Sequence, residues 1–595
     1  MKAVSSLFFA CVIGLQTLSS HPLPYSREKM ENFLDGIQDG FETRYAPYDW
    51  KVSEFGWDLN QQVIDAKALV RFAPMLSLAD FQQIVRNLVL SSGDYHVGVY
   101  FYNTGVSFLP FTVKKAEGKY YVTSIQLLGS PLKKGDQIIL WNDEDPDIAI
   151  EAMKKQLTSS NPLTDQSFAE YYLTKRVGAL GLDLPKGRVK LKVLQAETGA
   201  IKTIKIRWHH RPNMIEQPPY AIKSGGRKKV TEPEDSRIPK MLLKSHLKEM
   251  LLNPQFAQIE RIKKMCPAID NLPSHPNDLG NFYGYLPPLG EIVWKNDSKI
   301  FNAYIFSDDE GRKIGYIRIP DYLAGGKGVL EFERLIKVME RDTEALVIDQ
   351  MSNPGGSAFY LYALLSYLNE KPMYTPLHRL AITQYDLQSA VEVLDKMEIW
   401  SLMGEFEGIE SPLDGYPVTA ENVALIEEYC HFILEEWRDG NYITDPVYLF
   451  AIDKIQPQAV NYSKPLLVLV NELCLSCADF FAAILQDHGR AKTMGLRTAG
   501  AGGYIINYPL DNPFGIESIS FTGSIAERSN GQKIEGVGVT PDIEYELSAE
   551  DLKGNYAPFV KAIKREVAVQ LEEEAEKKRK PQRLFEAMQT LTEEK

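Results

Sequence analysis

The sequence predicts a mixed α/β protein with a helical N-terminal region, a β-rich module, a Pro-rich linker and a C-terminal α/β core. Three observations predict it. Apolar residues recur three and four apart from about Ser26 to Leu90, as in REKMENFLDGIQDGF and SLADFQQIVRNLVL. Short β-branched and aromatic runs then take over: HVGVYFY, VSFLPFTV, KYYVTSIQL, RVKLKVLQ and IKTIKIRWHH. From Ile300 onward, continuous apolar strands alternate with amphipathic helices. That pattern implies a sheet covered by helices on both faces.

The elements follow in order. Lys2, the apolar run Val4 to Leu15 and the small residues up to Ser20 read as a secretory signal peptide over 1–20. The helical region is expected over 21–104; Ser77 can cap its later helix, with Asp80 answering three residues on. The β-rich module is expected over 105–211 and contains the turn-and-strand block GSPLKKGDQIILW. Eleven prolines between Pro212 and Pro288 and the basic run Arg227-Lys228-Lys229 mark 212–290 as a linker or exposed segment, with the helix-like island KMLLKSHLKEMLL inside it. The core is expected over 291–555, with strands KIGYIRIPDY, EALVID and KPLLVLV and helices GVLEFERLIKVMERD, SAFYLYALLSYL and CADFFAAILQDHG. A charged helix closes the chain over 556–595.

Composition narrows the function. Of 595 residues, 66 are Lys or Arg and 79 are Asp or Glu, a net charge of −13. An acidic chain gains no general counterion-release attraction to nucleic acid or anionic lipid, which argues against a nucleic-acid partner. No segment after the leader has enough consecutive apolar residues to span a bilayer, so no stable membrane insertion is expected. Cys11 lies in the leader, leaving Cys266, Cys430, Cys474 and Cys477. There is no paired Cys-x-x-Cys and no His-Glu-x-x-His, so no metal or cofactor is expected. His209 and His210 lack a second ligand motif and read as structural or surface residues.

Chemistry concentrates at four places. In VLVNELCLSCADFFAAILQDHGRA a buried strand ends at Val470, and Ser476 stands at the start of a helix. A serine there is either a helix N-cap or a group placed where the helix dipole favours negative charge. In ALVIDQMSNPGGSAFYLY a strand ends at Asp349 and Asn353-Pro354-Gly355-Gly356 turns into a helix. Paired glycines serve either a tight turn or the presentation of backbone N–H groups to an oxyanion. His96 lies where helices give way to strands. Glu535 follows the Asn530-Gly531 hairpin signal. Neither residue is decisive alone.

Together these segments resemble the tail-specific, carboxy-terminal-processing serine peptidases and their retinoid-binding-protein relatives. The resemblance is carried by the Asn-Pro-Gly-Gly turn and by the strand, serine and helix ending in Arg490-Ala491. Arg497-Thr498-Ala499-Gly500, Glu535-Gly536 and Pro541-Asp542 extend it. GSPLKKGDQII is similar to the family's PDZ-like module, which holds a substrate carboxyl terminus or gates access. The resemblance covers most of the chain past the leader and is strongest from Lys313 to Tyr545.

One departure is informative. The tail-specific branch places its basic lysine in Thr-x-Gly-Lys-Gly; here the run is Thr498-Ala499-Gly500-Ala501-Gly502, and an alanine cannot activate a serine. The resemblance supplies His96 as base and Glu535 as the group orienting it. It thus implies a Ser476, His96, Glu535 triad with Gly355 or Gly356 and Cys477 as oxyanion donors. It also implies protein or peptide substrates, including host proteins, and a self-cleaved zymogen that matures by cutting in 212–290. A homodimer and passage beyond the exporting cell into host cytosol complete what it implies. Two other classes compete: a non-catalytic binder on the same fold, and a thiol oxidoreductase built on Cys474-Leu475-Ser476-Cys477.

Overall fold

The structure, a computed structural model, describes residues 26–126, 129–213, 278–403, 414–416 and 420–593. The expected signal peptide, Cys266, the basic run and helix-like island, and the 212–290 linker apart from its two ends lie outside the described residues.

Helices α1 (Arg27–Arg44), α2 (Tyr48–Phe55), α3 (Leu59–Phe72) and α4 (Leu78–Leu90) form the N-terminal region. α4 begins at the expected Ser77–Asp80 capping box. Their apolar faces do not close on one another alone. Leu34, Phe41, Phe81 and Val85 share a core with Val97, Val99, Ile516, Ile519 and Phe521. The strand Gly98–Phe101 pairs antiparallel with Ile516–Thr522, which pairs in turn with Ile505–Pro509. Residues more than 400 positions apart are thereby locked in register, and the loop carrying His96 is fixed by the strand that follows it. Phe41 and Phe521 meet edge-on at 5.0 Å. Truncating a buried phenylalanine such as Phe41 costs about 3–5 kcal/mol.

The β-rich module is an antiparallel sheet in the order 111–116, 119–125, 137–141, 188–194, 201–207. Two helices absent from the sequence expectation, Pro146–Lys154 and Pro162–Thr174, cover it. The second is buried nearly all round, so its apolar residues show no stripe to read. The core of this module does not stop at its edge: Leu473, Leu475, Ala499 and Ala501 belong to it. His210 bonds Ser107 at 2.9 Å and His209 stacks on Phe108, structural roles for both.

Among the described residues, the C-terminal core is built on a seven-stranded sheet in the order 291–295, 302–307, 313–318, 345–349, 466–470, 492–495, 543–544. The first two strands join antiparallel and the rest run parallel. Leu346, Ile348 and Val468 face the helices Gly325–Asp342, Ala358–Leu365 and Cys477–Asp487. Val347, Leu467 and Leu469 face Leu552, Phe559, Ile563 and Val567 of the C-terminal helices. Both faces are covered, which is why these strands read as unbroken apolar runs. Among the described residues no helix is long and apolar enough to cross a membrane.

One expectation is corrected. The last part of the Pro-rich segment, 278–290, is packed rather than exposed. Asp278 is buried against Lys175 at 3.3 Å, and Leu279 and Leu289 are buried. Gly280 donates its N–H to the Ser352 carbonyl at 2.9 Å.

Candidate active site

The neighbouring parallel strands Ala345–Asp349 and Leu466–Val470 end side by side, and both chemical loops leave from their carboxyl ends, where open α/β sheets place ligands. The loops are stitched together. Ser352 N–H donates to Asn471 Oδ1 at 2.7 Å, Leu475 N–H to Asn353 O at 3.0 Å, and Gln350 Nε2 to Ala478 O at 3.0 Å.

Ser476 sits at the N-cap of the Cys477–Asp487 helix with φ 56° and ψ −117°, and its side chain makes no capping bond. A non-glycine residue there is strained by about 1–3 kcal/mol and persists only because its surroundings hold it. The sharp strand-to-helix turn has the form of a nucleophile elbow. The capping alternative therefore fails, and the hydroxyl is left for other work. Asp479, three residues on, is a fully buried carboxylate that accepts from Thr498 Oγ1 at 2.5 Å, Gly500 N–H at 2.9 Å and Ala501 N–H at 3.1 Å. Burial pushes Asp479 up to about 6, against those hydrogen bonds.

In the glycine turn, Gly355 has φ 92° and Gly356 φ 152°. A Cβ on Gly356 would meet the Tyr322 carbonyl oxygen at 2.2 Å, so close backbone approach requires glycine there. Gly355 N–H is taken by Asn353 Oδ1 at 2.8 Å. Cys477 Sγ donates to Gly356 O at 3.2 Å, so the turn and the helix start touch.

His96 is fully buried. Its backbone N–H donates to Asp94 Oδ1 at 2.7 Å, and its carbonyl accepts from Ser520 Oγ at 2.8 Å. Glu535 is fully buried too. Its carboxylate accepts from Gly502 N–H at 3.2 Å and pairs with Lys51 Nζ at 2.8 Å. Burial, then the charge of Asp94, pushes Glu535 up to about 8, while Lys51 opposes the rise. Contacts link the three loops: Asp479, three residues after Ser476, holds the 499–502 loop, Gly502 bonds Glu535, and Lys51 joins Glu535 to Gly93 at the head of the His96 loop.

Comparison with known proteins places this arrangement. An uncharacterized protein of Chlamydia muridarum is 33% identical over 554 residues, covering 90% of this chain and 92% of its own. Residues 313–545 match the profile of peptidase family S41. The chain belongs to peptidase family S41. Residues 105–216 match a PDZ domain. The crystal structure of mature CPAF, the chlamydial protease-like activity factor, superposes with a TM-score of 0.75 at 30% identity, over 92% of this chain and 98% of the other. Mature CPAF has also been solved complexed with lactacystin, again at TM-score 0.75 with 29% identity over 92% of this chain and 99% of that one. A carboxy-terminal-processing protease of Bartonella bacilliformis shares 34% identity over 83 residues, 14% of this chain and 18% of its own. The S41 chain is accordingly a serine peptidase with a PDZ module and an α/β catalytic core.

The family assignment leaves the thiol alternative without a role, and the geometry agrees. Cys474 and Cys477 are buried, donate to different carbonyls, Gln350 O and Gly356 O, and burial pushes each thiol up to about 12. Neither is a thiolate near neutral pH. Four charged residues of the site escape a reading of the sequence. Asp94 and Asp479 had faint signals, two residues before His96 and at the third helical position after Ser476. Lys51 and Glu472 had none, because their partners lie hundreds of residues away.

Proposed function

We propose that this S41 peptidase is an endopeptidase that hydrolyses proteins through an acyl-enzyme on Ser476, with His96 as general base and Glu535 as the group that orients and charges against the imidazole. His96 Nε2 takes the Ser476 proton as Oγ attacks the peptide carbonyl. The N–H groups of Gly356 and Cys477 receive the oxyanion; Gly355, whose N–H already serves Asn353, shapes the turn. His96 returns the proton to the leaving amine, and water then repeats the sequence on the ester. The observation that carries the reading is the strained Ser476 elbow, whose hydroxyl is spared from capping.

The finer claims extend this reading. A leader over 1–20 exports the chain, with onward passage into host cytosol where host proteins are cut. The segment 212–290 keeps the zymogen latent until the enzyme cuts it, giving two associated pieces in a homodimer. Its downstream end supports this: Gly280 bonds the Ser352 carbonyl in the loop that carries the glycine turn, and Asp278 pairs with Lys175 of the PDZ module.

The test is side-by-side incubation of wild-type and Ser476→Ala protein, with the new termini sequenced. Termini within 212–290 are expected in the wild type alone, and loss of hydroxyl chemistry lowers kcat by about 10⁶. Lactacystin, bound by mature CPAF, should acylate the wild type and not the variant. Equal cutting by both proteins would overturn the assignment.

A further inference from the structure

Lys51 lies on α2, in a segment, YDWKVSEF, that has no catalytic signature. Its side chain is 1% exposed, as is that of its partner Glu535. A lysine is almost never buried to that degree without a task, since desolvating an ion pair can cost more than the pair returns. Here the ammonium has two anchors. It pairs with the Glu535 carboxylate at 2.8 Å and donates to Gly93 O, at the head of the His96 loop, at 2.8 Å. The same helix grips the Glu535 loop twice more. Trp50 Nε1 donates to Glu535 O at 3.1 Å, and a Cβ on Gly536 would meet the Phe55 ring at 2.8 Å. Phe55 also faces the ammonium, 4.8 Å from its ring centre.

The other groups around Glu535 explain why a cation is needed. Asp94 faces it from the loop after α4, Tyr45 from the α1–α2 turn, and the Gly502 N–H from the 499–502 loop. Asp94 is served by neutral donors: Tyr45 Oη at 3.0 Å, Thr522 Oγ1 at 2.6 Å and the His96 N–H at 2.7 Å. The charge of Asp94 disfavours an ionised Glu535, and only a nearby counter-charge opposes that effect. Lys51 supplies that counter-charge.

We propose that Lys51 is a positioning residue of the catalytic machinery, the counter-ion that opposes protonation of Glu535 and ties the Glu535 loop to the His96 loop. The proposal rests on the triad reading. It gives the N-terminal helices a part in catalysis: α2 is a clamp on the acidic member of the site. Without the cation, Glu535 takes its proton at higher pH, so activity fails earlier as pH falls.

The test is the rate at which a fluorophosphonate labels Ser476 in the full chain, between about pH 5 and pH 10. Lys51→Met should move the acid limb upward by one pH unit or more, about tenfold slower labelling at a fixed pH on the limb, with recovery at high pH. Lys51→Arg, which keeps the charge, should hold the limb near its wild-type position. In a Glu535→Gln background, where the carboxylate that Lys51 pairs with is gone, adding Lys51→Met should change the residual rate less than twofold. A rate lowered by one factor at every pH, or an equal loss in the Glu535→Gln background, would mean that Lys51 only packs and would overturn the proposal. Failure of the triad reading is separate: it would appear as full labelling in Ser476→Ala or full activity in Glu535→Gln.

Discussion

Lys114→Met tests how the PDZ module supports the loop of Ser476, the proposed nucleophile. Lys114, on the strand Phe111–Ala116, pairs with Glu472 at 2.7 Å and lies 3.7 Å from Glu170. Glu472 is four residues before Ser476 and 2% exposed; its carboxylate also accepts from Ser167 Oγ, and its carbonyl from Thr164 Oγ1 at 2.8 Å. Replacing the ammonium leaves two buried carboxylates face to face, a loss of about 3–5 kcal/mol. For a cooperative unit of domain size that lowers the midpoint of the transition containing this interface by about 6–20 °C. Differential scanning calorimetry at neutral pH reads it, and fluorophosphonate labelling of Ser476 should slow in parallel. The pH dependence carries a sign. Burial acts to raise Glu472, but the charge and hydrogen bond of Lys114 and the Ser167 hydroxyl outweigh it and hold the carboxyl below its ordinary 4.5. Its stabilisation is therefore present above that value and lost as pH falls through the folded one. In Lys114→Met the unpartnered carboxyl prefers to be neutral, so the stability gap to wild type should narrow toward acid pH. Adding Glu472→Gln should restore part of the loss at neutral pH. A midpoint within about 2 °C of wild type, or a gap indifferent to pH, would refute the reasoning.

Two further outcomes follow from the same loop. Ser476→Gly should be more stable than Ser476→Ala by about 1 kcal/mol, because both lack the hydroxyl while only glycine relaxes at φ 56°; chemical denaturation of the pair measures it. Cys474 and Cys477 should resist iodoacetamide in the native protein at neutral pH and react fully after denaturation, as thiols held near 12 must.

What was legible in the sequence tracks the range of the forces involved. Strands such as EALVID and KPLLVLV were legible because both faces are covered, which leaves an unbroken apolar run. The α4 cap was legible because Ser77 and Asp80 satisfy each other within one turn. Ser476, the glycine turn and Glu535 stood out through short motifs, since tight backbone geometry constrains neighbours in sequence. The helix Pro162–Thr174 did not, because burial on nearly every side erases the amphipathic stripe.

The two lysines were illegible for a different reason, and that reason bears on how the enzyme is assembled. In YDWKVSEF and FTVKKA each lysine looks like an ordinary solvated charge. Lys51 is buried and Lys114 half-buried against carboxylates from far along the chain; Lys114 and Glu472 are 358 positions apart. Lys51 comes from the N-terminal helices and Lys114 from the PDZ module, and each neutralises an acidic residue on a different loop of the catalytic core. The core therefore carries, in Glu535 and Glu472, two buried carboxyl groups whose cationic partners come from outside it. On the proposed triad reading, severing either contact should slow fluorophosphonate labelling of Ser476 near neutral pH without touching a residue of the proposed triad.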